Sequence, residues 1–231
     1  MAVTTHGVTL TSSLNQATYT TGNVGQAMND LLLAFSLTTG SNITGSMTDS
    51  QGGSWSFIVA ATKNAGADKL RCFIRDALCP NADPLTVTMD VTGDNGTGCT
   101  IFVVRVSGMS RVGANAERQN VVQSNQAAAT TPAPVFGAAA LTDNPTLGFV
   151  GNATNPAGMT PPASWTELVA DVGHATPTTG GEYVTRDSGF TGTTITWGST
   201  SASAFGDISV ELDTSVPEGN PWYAYQQQMS A

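Results

Sequence analysis

The order of apolar and polar positions along the chain predicts β-strands almost throughout. The densest apolar run spans residues 99–106, where β-branched and aromatic side chains occupy both alternating faces. Gly98 before this run and Ser107-Gly108 after it are typical turn residues. A strand that is apolar on both faces has to lie between other layers, so the run predicts an inner strand of a packed β structure.

Six further segments have the length and composition of strands: 17–20, 31–36, 54–61, 70–76, 85–90 and 208–212. Segments 70–76 and 85–90 alternate apolar with polar or charged residues, which predicts half-exposed strands. Between Gly113 and Pro134 the pattern fades into Asn, Gln, Ala and Thr. We expect a surface connection there, or a segment packed on another subunit.

The pattern of the first half returns in the second half. The sequence SWSFIVA at 54–60 is matched by SWTELVA at 164–170, with four of seven residues identical and Trp55 and Trp165 110 positions apart. Arg75-Asp76 is matched by Arg186-Asp187, 111 positions later. Segments 31–36, 85–90 and 100–106 have counterparts, in the same order, at 146–152, 193–198 and 207–213. The chain therefore contains an internal duplication.

A repeat of this length is too long for a solenoid and is typical of a pseudo-symmetric sandwich. The predicted fold class is all-β, a jelly-roll-like β-sandwich of about ten or more strands, each half giving about five strands to two facing sheets. We predict an arm or strand at 1–24, one sandwich domain at 25–213 with halves 25–110 and 141–213, and a C-terminal arm at 214–231. Two separate small domains are the alternative; one domain is preferred because each half alone would have few strands and little core.

Composition and charge narrow the class of partner. The chain has 231 residues, of which 11% are charged, and eight Lys and Arg against seventeen Asp and Glu give a net charge of −9. A nucleic-acid or anionic-membrane partner therefore has no basic surface to bind. The N-terminal residues lack the features of a signal peptide, and no apolar run has membrane-spanning length, so export and membrane anchoring are disfavoured.

Few residues are suited to catalysis or metal binding. Cys72, Cys79 and Cys99 have no metal-ligand spacing and are expected to be reduced structural thiols. The two histidines, His6 and His174, lie in no motif, and we expect both on the surface. No nucleophile elbow, zinc-protease motif or P-loop is present, so we predict a protein that is not an enzyme and needs no cofactor.

Two groups of acidic residues were weighed as sites. Glycoside hydrolysis needs two facing carboxylates, for which Glu167 and a partner such as Asp171 are candidates, with Glu182 and Asp187 in the same repeat. Surface residues are the simpler interpretation. The turn at 90–96, with Asp90, Asp94 and Asn95, has oxygen ligands for calcium, but its spacing is not that of an EF-hand and a Gly-Asp-Asn-Gly hairpin turn is the preferred interpretation.

The C-terminal segment carries the candidate interaction residues. Trp222, Tyr223 and Tyr225 crowd three aromatic side chains into four positions, next to prolines that prevent a continuous sheet strand. That much apolar surface needs a place to pack. Two outcomes stay open: the segment folds back on its own domain, or it docks as an arm on an adjacent subunit.

The order of segments 31–35, 48–55, the strand near Arg75, the strand before Ser107-Gly108, and segments 164–168 and 208–212 resembles a known family. It is similar to the jelly-roll-type β-sandwich domains of virion proteins of tailed bacteriophages, and of some bacterial surface proteins, over about residues 25–213. The resemblance implies a structural protein of the virion, a capsid decoration or cement protein on the outer surface of a phage head, assembled in the host cytoplasm. Its implied partner is the viral capsid protein, and a homo-oligomer, with a trimer favoured, is expected.

Two other functions remain as alternatives. One is a tail, baseplate or fibre component of the same kind of particle. The other is a carbohydrate-binding adhesin module, since sandwich domains commonly bind glycans through exposed aromatic side chains. Exposure of Trp165 or Trp197 beside a groove would favour this second alternative, whereas burial of both would favour a structural role.

Overall fold

The computed structural model describes residues 4–40, 45–63, 68–91, 97–154 and 157–215, without the side chains of 4–6, 169 and 170. Trp222, Tyr223 and Tyr225 of the predicted arm therefore lie outside the described residues, as do residues 92–96 of the acidic turn. Within the described ranges the chain forms β-strands and one short 3-10 turn at Gly113–Ala116. The predicted all-β class is confirmed. No helix in these ranges is long and apolar enough to cross a membrane.

The strands form three antiparallel sheets. Sheet 1 has the order β1-β8-β3-β6-β5, sheet 2 the order β9-β13-β10-β12-β11, and a small sheet the order β2-β7-β4. The strand bounds are β1 Thr4–Ser12, β2 Thr18–Thr20, β3 Leu31–Thr38, β4 Ser46–Asp49, β5 Trp55–Lys63, β6 Asp68–Arg75, β7 Val87–Asp90, β8 Cys99–Ser107, β9 Glu117–Gln126, β10 Thr146–Asn152, β11 Thr166–Ala175, β12 Thr178–Arg186 and β13 Phe205–Leu212.

Strands β1 to β8 have jelly-roll connectivity. The chain alternates between sheet 1 and the small sheet from β1 to β4, and again from β6 to β8. The order β1-β8-β3-β6 in one sheet and β2-β7-β4 in the other is that of two Greek keys wound together. One strand departs from the pattern: β5 pairs with β6 in sheet 1, with a register shift between Phe57 and Val59.

Sheet 2 repeats the strand order of sheet 1. Strands β9, β13, β10, β12 and β11 take the places of β1, β8, β3, β6 and β5. The small sheet also has a counterpart in the second half. There the backbone N–H groups of Ile195 and Trp197 donate hydrogen bonds to the carbonyls of Pro134 and Pro132. In the first half the Thr21 N–H donates to the Val87 carbonyl in the same way. Each half of the duplication thus builds one complete five-stranded sheet and a covering layer, which is more structure per half than the sequence pattern predicts.

The two large sheets pack face to face through a common core. Phe35 and Phe102 of sheet 1 contact Phe149 of sheet 2, with ring centroids 5.5 and 5.2 Å apart. Tyr183 lies 5.5 Å from Phe35 across the same interface. Because the small sheet covers the opposite face of sheet 1, β3 and β8 are buried on both sides. This confirms the inner strand predicted at 99–106.

Two expectations from the apolar pattern are wrong. One of the two segments predicted as half-exposed strands, 70–76 in β6, is buried along most of its length. Its charged positions can be buried because both arginines have hydrogen-bond acceptors: Arg71 donates to Thr38 and Arg75 to Asp49. The segment predicted as a connection contains β9, which pairs with β13. Backbone hydrogen bonds at a sheet edge order β9, so its side chains need not be apolar.

Asp49 organises the turn between β4 and β5. Its carboxylate accepts hydrogen bonds from Arg75 Nε at 2.8 Å, from the Trp55 indole N–H at 2.9 Å, and from the backbone N–H of Gln51 and Gly53. Burial alone would raise the pKa of Asp49, but the donors from Arg75, Gly53 and Trp55 hold it below its ordinary value. Arg75, at the end of β6, therefore forms an ion pair with Asp49, the last residue of β4.

Cys72, Cys79 and Cys99 are unpaired and buried. Burial raises the pKa of the Cys79 thiol to about 11 and that of Cys72 well above its ordinary value. The thiols therefore stay protonated near neutral pH and pack as small apolar side chains.

Candidate functional site

Three carboxylates from neighbouring strands converge at the β11 edge of sheet 2. Glu167 and Asp171 belong to β11 and Glu182 to β12. One carboxylate oxygen of each lies within 4.8 Å of the other two. We call these three residues the carboxylate cluster.

The backbone of β11 brings the cluster together. Residues four apart in a regular strand are separated by about 13 Å, too far for both to meet one neighbour. The pairing of β11 with β12 shifts register between Glu167 and Val169 and again between Val169 and Val172. These irregularities bend β11 opposite Glu182, as β-bulges do, so that the Glu167 and Asp171 side chains both approach it.

The electrostatic situation of the cluster is unfavourable for three free carboxylates. Glu167 is exposed, Asp171 is half-buried, and Glu182 has no exposed surface. Neither oxygen of Glu182 has a hydrogen-bond partner of good geometry among the described residues, nor does Asp171 Oδ1, although the Asp171 carboxyl and the Met159 backbone lie close enough to Glu182 to affect its pKa. Burial, followed by the nearby Asp171 and Glu167 carboxylates, raises the pKa of Glu182 to about 10. Burial and then the charge of Asp171 raise the pKa of Glu167.

This arrangement can bind a proton or a hard cation. Carboxylate oxygens are the ligands that calcium and magnesium prefer. A glycosidase pair, by contrast, has to contact a sugar from both sides, and the fully buried Glu182 is not accessible to one. Of the acids named from the sequence, Glu167, Asp171 and Glu182 are brought together, whereas Asp187 is not a member of the cluster.

A second buried acid lies in the same cross-strand row. Val150 in β10 pairs with Glu182 on one side and with Asp207 in β13 on the other. Asp207 has no exposed surface, and neither of its carboxylate oxygens has a hydrogen-bond partner of good geometry in the described part of the chain, although the Gln123 backbone lies near enough to affect its pKa. Burial raises its pKa well above the ordinary value. Sequence analysis missed this residue.

The equivalent row of sheet 1 has different chemistry. There Ser36 pairs with Arg71 and Ile101. Arg71 is as buried as Glu182, but its guanidinium donates a hydrogen bond of 2.7 Å to Thr38. The two acids are therefore specific to the second repeat. At the equivalent positions the first repeat has the basic Arg71 and the apolar Ile101.

The expected surface position of His174 is wrong. Its side chain is 3% exposed, with Nε2 3.2 Å from the hydroxyl of Thr39 and Nδ1 3.2 Å from that of Thr100. Strand β11 carries it against sheet 1, where it connects the two sheets. Burial, and then the positive charge of Lys63, lowers the pKa of His174 to about 4. His6 lies in β1, and its side chain is outside the described part.

The tryptophans considered for glycan binding differ in exposure. Trp197 is 2% exposed and packs in a buried apolar cluster with Val150 and Val184 of sheet 2. Trp165 is half-buried, and its ring centroid lies 5.5 Å from that of Phe190. One tryptophan is therefore unavailable to a glycan, and the other packs edge-on against an aromatic neighbour.

Comparisons with known proteins give no functional assignment. No family model and no curated protein matches the chain. Among solved structures, the lipase BlEst2 of Bacillus licheniformis in its propeptide form has 12% identity and a TM-score of 0.25, over 65% of this chain and 28% of the lipase. A structure of Red Clover Necrotic Mosaic Virus has 11% identity and a TM-score of 0.23, over 94% of this chain and 90% of that one. Neither likeness is close enough to carry an argument, and the class that the structure itself establishes is an all-β sandwich of antiparallel sheets.

Proposed function

We propose that the chain is a structural protein of a virus particle, a capsid decoration protein that binds the outer surface of a phage head. The observation that carries the proposal is the face-to-face packing of two repeated sheets on one aromatic core. This packing makes a rigid block in which β1 lies beside β11 and β5 beside β9 at the two margins. Jelly-roll sandwiches of this kind recur in viral coats.

The proposed partner is the viral capsid protein, with a symmetric homo-oligomer, a trimer first, as the assembled form. The described surface includes apolar side chains that can take part in such contacts, among them Phe57 at 54%, Val135 at 55% and Leu141 at 50% exposed. Trp222, Tyr223 and Tyr225 remain the proposed arm. Burial of Trp197 and packing of Trp165 on Phe190 support a structural role over the carbohydrate-binding alternative.

Immunogold labelling of purified particles tests the proposal. Particles are prepared from the host that carries the gene and are labelled with an antibody against the full chain. We expect gold over the head surface. Particles from a strain that lacks the gene are then incubated with the full chain or with a chain lacking residues 217–231, and we expect less gold with the shortened chain. Gold over the tail would instead support the tail or fibre alternative, and unlabelled particles from which the protein is absent would contradict a virion role.

A further inference from the structure

We propose that Glu167, Asp171 and Glu182 form a binding site for a divalent cation, and that calcium is the ion that fits it best. The site joins β11 to β12 at the irregular edge of sheet 2. It does not depend on where the protein assembles. It is also distinct from the acidic turn at 90–96.

The spacing of the oxygens matches the size of a calcium ion. Calcium binds carboxylate oxygens at about 2.3–2.6 Å, so two ligands of one ion are at most about 5 Å apart. The three oxygens of the carboxylate cluster fall within that limit, since all lie within 4.8 Å of one another. Magnesium binds at about 2.0–2.1 Å and needs ligands no more than about 4.2 Å apart in octahedral geometry. Calcium fits every spacing up to the 4.8 Å bound and tolerates an irregular ligand set, whereas magnesium fits only the shorter spacings within that bound.

The burial of Glu182 is the independent observation that points to a ligand. An ionised carboxylate without partners is strongly disfavoured in the protein interior. Glu182 has no exposed surface, has no hydrogen bond of good geometry to either oxygen among the described residues, and is directed at two further acids. Asp207 is equally buried and likewise makes no hydrogen bond of good geometry in the described part of the chain, but it is not a member of the cluster. Protonation alone is sufficient to neutralise Asp207. At Glu182, by contrast, the oxygen atoms of three carboxylates already lie close together.

Calorimetric titration and thermal unfolding of the full chain test the site. The protein is first treated with a chelator and then titrated with calcium chloride. Glu182→Gln and Asp171→Asn remove ligands with little change of shape. Asp207→Asn is the matched control, because it alters an equally buried acid in the same row outside the cluster. Asp94→Asn controls for the acidic turn.

We expect one calcium per chain and a rise in Tm of at least about 5 °C at a hundredfold excess over Kd. Asp207→Asn and Asp94→Asn should keep this response, whereas Glu182→Gln and Asp171→Asn should weaken calcium binding at least about tenfold. Absence of binding and of a Tm shift in the wild-type chain would overturn the proposal. So would an undiminished response in Glu182→Gln, or its loss in Asp94→Asn, which would assign the ion to the turn.

Discussion

Replacing Phe149 by alanine is expected to lower the free energy of unfolding by about 3–5 kcal/mol. Phe149 is fully buried in β10, and its ring meets Phe35 and Phe102 of sheet 1 at 5.5 and 5.2 Å. Truncation leaves a cavity at the centre of the interface between the two sheets. That interface is closely packed on both sides, so it can collapse only partly into the cavity. Urea denaturation of the variant and the wild-type chain measures the loss.

Phe57→Ala is the matched control for the loss of a phenylalanine. Phe57 is 54% exposed and packs on Phe73 of the same sheet, with ring centroids 5.7 Å apart. Its truncation should cost less than about 1.5 kcal/mol, since little buried surface is lost. If Phe149→Ala were no more destabilising than Phe57→Ala, the two large sheets would not share the core described above.

Asp49→Ala is expected to destabilise the fold by about 3–5 kcal/mol, because it leaves Arg75 charged, buried and without its carboxylate. The Asp49 and Arg75 side chains are 0% and 4% exposed, and they are joined at 2.8 Å. The variant also removes the acceptor of the Trp55 N–H bond. Chemical denaturation near neutral pH measures the effect.

Removing the charge of Arg75 as well separates the ion pair from simple packing. In the double variant Asp49→Ala, Arg75→Met no buried charge is left unpaired, so part of the stability should return.

The pH dependence of stability gives a second check. The pKa of Asp49 is lowered in the folded state, so its stabilising contribution is complete above the unfolded pKa near about 4 and is lost as pH falls through the lower folded value. The difference in free energy of unfolding between the wild-type chain and Asp49→Ala should therefore become smaller at acid pH. A double variant weaker than Asp49→Ala, or a constant difference, would contradict this account of the pair.

Much of the sheet structure was predictable because period-two patterns report strands buried on one or both faces. The runs at 31–36 and 99–106 became β3 and β8, and the repeat around Trp55 and Trp165 indicated two related halves. That each half forms one large sheet with the same strand order was not predicted. The small sheet was not predicted as a separate layer, because β2 and β4 have only three and four residues. Strand β9 was missed because its ordering comes from backbone pairing with β13, which polar side chains do not reveal.

The candidate site was predictable only in part. Glu167, Asp171 and Glu182 could be named as acids, but their convergence depends on the irregular register of β11, which has no clear signal in the sequence. Asp207 was harder to recognise, because it alternates with Ser209 and Glu211 along β13 and therefore has the pattern of a solvent-facing position. The structure places it opposite Val150, at the position that Ile101 occupies in the first repeat, which is one residue away from the match of 100–106 with 207–213 in the sequence. His174 was expected on the surface because of its small neighbours Gly173 and Ala175, yet these belong to an edge strand that closes over sheet 1.

Differential scanning calorimetry of the full chain tests most directly whether the two repeated sheets unfold as one body around Phe35, Phe102, Phe149 and Tyr183. A shared core predicts a single transition whose calorimetric and van't Hoff enthalpies agree. Two resolved transitions, or a calorimetric enthalpy about twice the van't Hoff value, would show that the halves unfold independently and would contradict the common core.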